Sequence, residues 1–267
     1  MSAPRNRGFT ILELLLAMVI FLIICAAMFE LLDLSQKKYN TETQLSEAYQ
    51  NTRLAMDQIT RDFNVSGYPP PGMFTTVPVS KPWTYAVGPV AWSPNYTSGT
   101  DCQIGVNCST PGDYDLIIET HLSTDTADSN VSWIWYHLDT ATNTLLREVV
   151  PKTAVDPYTA VSTANQAVPL LTNVMNNPGA TLLGQIQTQN PTMYPGGNPQ
   201  PIFQYMCDTP SGTLPCSSPL AVGYNTPRNI RDVVITLIVA TPQIDLQTQR
   251  IKLVELSGRG HRLNPNG

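Results

Sequence analysis

Three regimes of hydrophobic and polar patterning divide the 267-residue chain. Residues 9–29, FTILELLLAMVIFLIICAAMF, contain one charged side chain, Glu13, and neither Gly nor Pro. As a helix this run extends about 30 Å, the thickness of a bilayer core. Helix-forming residues continue to Ser66 without Gly or Pro, but from Glu30 the pattern turns amphipathic. Leu45, Ala48, Tyr49, Thr52, Met56, Ile59 and Phe63 recur at helical spacing, with Glu47, Gln50, Arg53 and Asp57 mainly on other faces. That stripe predicts a helix packed on a globular domain. Asn64-Val65-Ser66-Gly67, then Tyr68-Pro69-Pro70-Pro71-Gly72, stops it.

After Gly72 the helical period gives way to short β-rich runs between clusters of Pro, Gly, Asn, Ser and Thr. Strands are expected at 115–120, 131–138, 144–150, 232–240 and 250–256, with an antiparallel hairpin turning at 139–143. Between residues 151 and 227 little periodicity is visible, and Pro195-Gly196-Gly197-Asn198-Pro199-Gln200-Pro201 resists any regular element, so long exposed loops are expected. The fold class is α+β, a long N-terminal helix packed on an antiparallel β-sheet domain.

Composition changes the picture little. Charged residues make up 13% of the chain, against about 25% in an ordinary soluble domain, and 23 prolines fit long connections. The mean hydropathy of −0.09 averages two dissimilar parts. A net charge of −5 gives no reason to expect a direct nucleic-acid partner.

The N-terminus is more informative. A secretory signal places its cleavage site after the apolar run, at small residues. Here the leader MSAPRNRG carries Arg5 and Arg7, and Gly8 stands immediately before the run. The basic leader should stay cytoplasmic and send the remainder outward. Glu13 is anomalous in a plain anchor, because an ionisable group within hydrocarbon costs several kcal/mol unless partnered.

The run Arg7-Gly8-Phe9-Thr10-Ile11-Leu12-Glu13 resembles the type IV prepilin cleavage and methylation motif. The resemblance implies cleavage between Gly8 and Phe9 by a prepilin peptidase, N-methylation of Phe9, and filament assembly through Glu13. A cationic amine on Phe9 of a neighbouring subunit would then partner the carboxylate. It implies a leader over 1–8, a transmembrane and filament-core helix over 9–29, an amphipathic extension over 30–66 and a β-rich domain over 67–267. Many major pilins carry a kinking proline just past the membrane span, where this chain has Glu30. The tryptophan pair followed by Leu145-Leu146-Arg147-Glu148, and the Asp232-Val233-Val234-Ile235-Thr236-Leu237 run, resemble larger minor pilins of the PilW kind and type II secretion pseudopilins of the GspJ kind.

Of five cysteines, Cys25 lies within the apolar helix and is expected to stay free, whereas the other four belong to a domain facing an oxidising compartment. Local pairing of Cys102 with Cys108 and of Cys207 with Cys216 is expected among three possible connectivities. Each short loop closed would stabilise by roughly 2–3 kcal/mol. No histidine stands at zinc-site spacing around them. Asp125, Asp128 and Asn130 offer oxygen ligands to calcium, but without a complete EF-hand spacing a solvated polar turn accounts for them better. His121, His137 and His261 are scattered, and neither H-E-x-x-H, G-x-S-x-G nor a Walker P-loop occurs.

The leading expectation is a non-enzymatic structural subunit without cofactor, a minor pilin near the filament tip. Its partners would be major and minor pilins, prepilin peptidase and the pilus assembly platform, in a hetero-oligomeric filament built from the bacterial inner membrane. A minor pseudopilin of type II secretion is the related alternative. A membrane-anchored carbohydrate-binding or hydrolytic protein, with Trp133 and Trp135 at its site, is the alternative of a different class. An aromatic strand face is, however, more often core.

Overall fold

A computed structural model describes residues 10–70, 86, 88–91, 112–122, 131–153, 157–216 and 224–263. The apolar run and the amphipathic stripe form one continuous helix, α1 (Ile11–Asn64), which at 54 residues extends roughly 80 Å. It has two unlike halves. From Ile11 to Gln36 every residue except half-buried Cys25 is exposed. From there a face of Lys37, Thr41, Leu45, Ala48, Thr52, Met56, Ile59 and Phe63 descends onto the domain, with the last five buried.

Two four-stranded antiparallel sheets receive that face. The first joins β1 (Asp115–Thr120), β2 (Ser132–Asp139), β3 (Thr144–Pro151) and β4 (Val168–Leu171) in sequence order. The predicted hairpin pairs Asp139 with Thr144 and turns through Asn143 at φ 51°, a backbone region that asparagine tolerates. The second sheet, ordered β6-β5-β7-β8, comprises β5 (Phe203–Thr209), β6 (Gly212–Pro215), β7 (Ile230–Ala240) and β8 (Leu253–His261). Alternation decides the layers. Ile134, Tyr136 and Leu138 of β2 join Val233, Ile235, Leu237 and Val239 of β7 in one core with α1, whereas Trp133 and Trp135 point to the opposite face.

The region from 151 to 227 departs from the expected loops. It contains α2 (Pro157–Ala164), α3 (Ala180–Gln189) and strands β4, β5 and β6. α2 covers the outer face of the first sheet, where Val161 packs with Trp133, Trp135 and Ile117. α3 covers the second through Ile186, Tyr194, Ile238 and Ala240. These helices are short, with few apolar positions, so tertiary cover and not local periodicity stabilises them. The expected strand at 250–256 is likewise displaced to Leu253–His261, because residues 241–252 form the β7–β8 loop.

Two glycines set how closely α1 approaches β8. A Cβ on Gly258 would stand 2.8 Å from Met56 Sδ, and one on Gly260 would stand 2.9 Å from Phe63 Cδ1 and 3.2 Å from Phe63 Cβ. The helix therefore seats against bare backbone. Its end is also pinned by charge. Buried Asp62 accepts from Arg147 Nε at 3.0 Å and Nη2 at 2.9 Å, from Tyr136 Oη at 2.5 Å, and from Gln58 Nε2 at 2.8 Å. Burial, and then the adjacent Asp62 anion, push the Tyr136 phenol well above its ordinary pKa, so it stays a donor.

The β7–β8 loop is organised around Asp245. Its carboxylate accepts from Thr248 Oγ1 at 2.6 Å and from the Gln247 backbone N–H at 2.9 Å, with Lys252 Nζ at 3.5 Å. These donors, Thr248 foremost, hold its pKa down to about 2. An unfolded aspartate takes its proton near pH ~3.9. Asp245 therefore contributes stability above that pH, and the contribution fades as pH falls towards about 2. Urea titrations of wild type and Asp245→Asn should accordingly differ near neutrality and converge in acid. A difference independent of pH would contradict this role.

Candidate functional site

The site begins where α1 begins. Thr10 is its N-cap: Thr10 Oγ1 accepts from the Glu13 backbone N–H at 3.3 Å, while Glu13 Oε2 accepts from the Thr10 backbone N–H and Oγ1, each at 3.0 Å. This reciprocal capping box satisfies two of the donors that a helix start leaves open. Glu13 also lies in the first turn, where the positive end of the helix dipole favours an anion. The carboxylate thus has a partner within its own chain. The Thr-x-x-Glu spacing carries that signal in the sequence itself, whereas the prepilin resemblance implies a partner on a neighbouring subunit.

Beyond the cap, α1 presents an unbroken apolar surface. Ile11, Leu12, Leu15, Phe21, Leu22 and Phe29 are each more than half exposed. The helix is long and apolar enough to cross a membrane. Such a surface requires lipid or neighbouring helices around it.

The expected site residues fall into three groups. Gly8, Phe9, Cys102, Cys108, Asp125 and Asp128 lie outside the described residues. Cys207 and Cys216 are joined, with an S–S distance of 2.11 Å and Cα atoms 5.0 Å apart, and the bond ties β5 to the end of β6. Cys25 is free. Trp133 and Trp135 are correctly placed on a strand but buried beneath α2, 0% and 8% exposed, so they present no open aromatic platform. Trp135 instead donates to Asp115 Oδ1 at 3.0 Å and stacks on His137, with ring centroids 4.6 Å apart. Among the described residues no three His, Cys, Asp or Glu side chains converge as metal ligands.

Comparison with known families matches residues 3–29 to the prokaryotic N-terminal methylation motif. No curated protein and no solved structure matches the chain. The motif and the apolar helix it runs into are consistent with a type IV prepilin-like protein, and they support a pilin-like or pseudopilin precursor. A motif of this type implies prepilin peptidase processing and assembly with other pilins, and it is consistent with membrane anchoring. It also suggests a structural protein.

Proposed function

We propose that this chain is a minor type IV pilin, inserted in the bacterial inner membrane through residues 9–29, cleaved after Gly8 and N-methylated on Phe9. It then enters a filament near the tip, where it helps prime assembly through the assembly platform with major and minor pilins. The observation that carries this reading is the Gly8-Phe9-Thr10-Ile11-Leu12-Glu13 run at the head of a continuous exposed apolar helix. The burial of Trp133 and Trp135 beneath α2 removes the aromatic site that a carbohydrate-binding or hydrolytic reading would use, which supports a structural subunit.

The same motif fits a minor pseudopilin of a type II secretion system. Adjacent genes for a pilus retraction ATPase favour the pilus, and those for a secretin with a secretion ATPase favour secretion. The proposal is tested first at the mature N-terminus. Intact-mass and peptide mass spectrometry of membrane-extracted protein should find Phe9 as the first residue, carrying one methyl group. Retention of Met1, or removal of the apolar run, would overturn the assignment.

A further inference from the structure

We propose that the β7–β8 loop is a second membrane contact, in which Ile244 and Leu246 seat in the outer interface of the bilayer before the subunit is assembled. This rests on residues 9–29 being a membrane span.

The face of α1 that docks on the domain runs from Phe63 back to Thr41 and Lys37, and continues at helical spacing through Leu34, Leu31 and Ala27. The loop follows it. Gln44 Nε2 donates to Gln243 Oε1 at 3.2 Å, the Gln243 backbone N–H returns a bond to Gln44 Oε1 at 3.3 Å, and Thr41 Oγ1 donates to Asp245 Oδ1 at 3.5 Å. Leu246 then overhangs an open hollow of about 700 Å³, shared with Ala27, Glu30, Leu31, Asp33, Leu34 and Lys37. Ala27 lies inside the apolar run. Leu34 lies five residues past Phe29, about 7 Å further along the helix, which is the depth of a headgroup layer. The loop tip, bonded to Thr41 about 18 Å past Phe29, therefore stands over the headgroup layer, with Leu246 facing the hollow that descends towards the hydrocarbon boundary.

Its chemistry suits that level. Ile244 and Leu246 are 47% and 51% exposed on either side of Asp245, whose carboxylate is held by Thr248, Gln247 and Lys252, so the tip presents them from an organised turn. Of the charges beside the hollow, Lys37 pairs with Asp33 at 2.6 Å and Lys252 faces Asp245, while Glu30 adds a carboxylate at its lower edge. Aliphatic burial, not attraction to anionic headgroups, drives the contact. Acyl chain and glycerol carbon of the bilayer crossed by α1 are the occupants. Anchored there, the domain is held against the membrane with a defined face of α1 outward.

Tryptophan introduced into the full chain tests this in phosphatidylcholine vesicles at high lipid excess. The lipid is brominated either near the carbonyl or near the chain end, and emission is measured above that of the four native tryptophans. Leu246→Trp should lose its added emission to carbonyl-level bromine more than to chain-end bromine. Val65→Trp, 36 residues past Phe29 and about 54 Å away, should lose none. Leu22→Trp should be quenched best by chain-end bromine. Quenching of Leu22→Trp without Leu246→Trp overturns the loop contact and leaves the span intact. Failure of both overturns the span reading and the contact with it. A blue-shifted but unquenched Leu246→Trp would show that a second copy covers the loop, and would also overturn the lipid contact.

Discussion

In sheared-filament fractions, Glu13→Gln protein should fall roughly tenfold or more below wild type at equal membrane abundance. Tenfold corresponds to about 1.4 kcal/mol, well within the ~3–5 kcal/mol that breaking a buried ion pair costs. The substitution is informative because glutamine serves the same position of a capping box. The Thr10 bonds that begin α1 survive, and only the negative charge is lost. Insertion should hold or improve, since a charge has left the hydrocarbon. If Glu13 pairs with a neighbour as proposed, incorporation should fall, because that neighbour's Phe9 ammonium would be left unpaired among packed helices. Leader processing is measured alongside, so that failed cleavage is not counted as failed assembly. Equal incorporation would show that Glu13 serves only its own helix start.

Gly260→Ala should destabilise the domain by about 1–3 kcal/mol through overpacking, several degrees in melting temperature for a domain of this size. The new methyl would meet Phe63, a fully buried ring whose own Cβ is 3.2 Å away, so the ring has little room to yield. Gly258→Ala should cost less, since the atom it meets is the Sδ of flexible Met56. Thermal melts of the detergent-solubilised full chain give the comparison. Combining Gly260→Ala with Phe63→Leu should cost less than the sum of the two, because both act on one contact. Additive costs, or equal effects at Gly258 and Gly260, would show that α1 is not held against β8 in this way.

Much of the candidate site was legible without coordinates. The leader, the glycine, the apolar run and Glu13 are local in sequence, and each carries a chemical requirement that stands alone: charge for orientation, length for thickness, a carboxylate where hydrocarbon should be. The strands at Asp115–Thr120, Ser132–Asp139 and Thr144–Pro151 were legible for a related reason. Their alternating apolar side chains meet a core on one face and α2 or solvent on the other. The Cys207 to Cys216 bond was one of three connectivities open to the domain's cysteines, and the expected one because its spacing is short.

What lay beyond the sequence depends on contacts between distant segments. β5 pairs with β7 across more than twenty residues, and α2 and α3 are held by the sheet faces they cover, so neither has a periodic signature of its own. The glycines at 258 and 260 read as weak points in a strand until Met56 and Phe63 occupy the space above them. Asp62, Tyr136 and Arg147 are three ordinary polar residues until burial gathers them. The same division holds for function. Chain-local chemistry carries the N-terminal methylation motif and the apolar helix, because a peptidase and a bilayer both read a short linear segment. Which face of α1 turns to its own domain, and that the β7–β8 loop follows that face as far as the hollow shared with Leu31 and Leu34, is decided only by packing, where side chains far apart in sequence compete for the same surface.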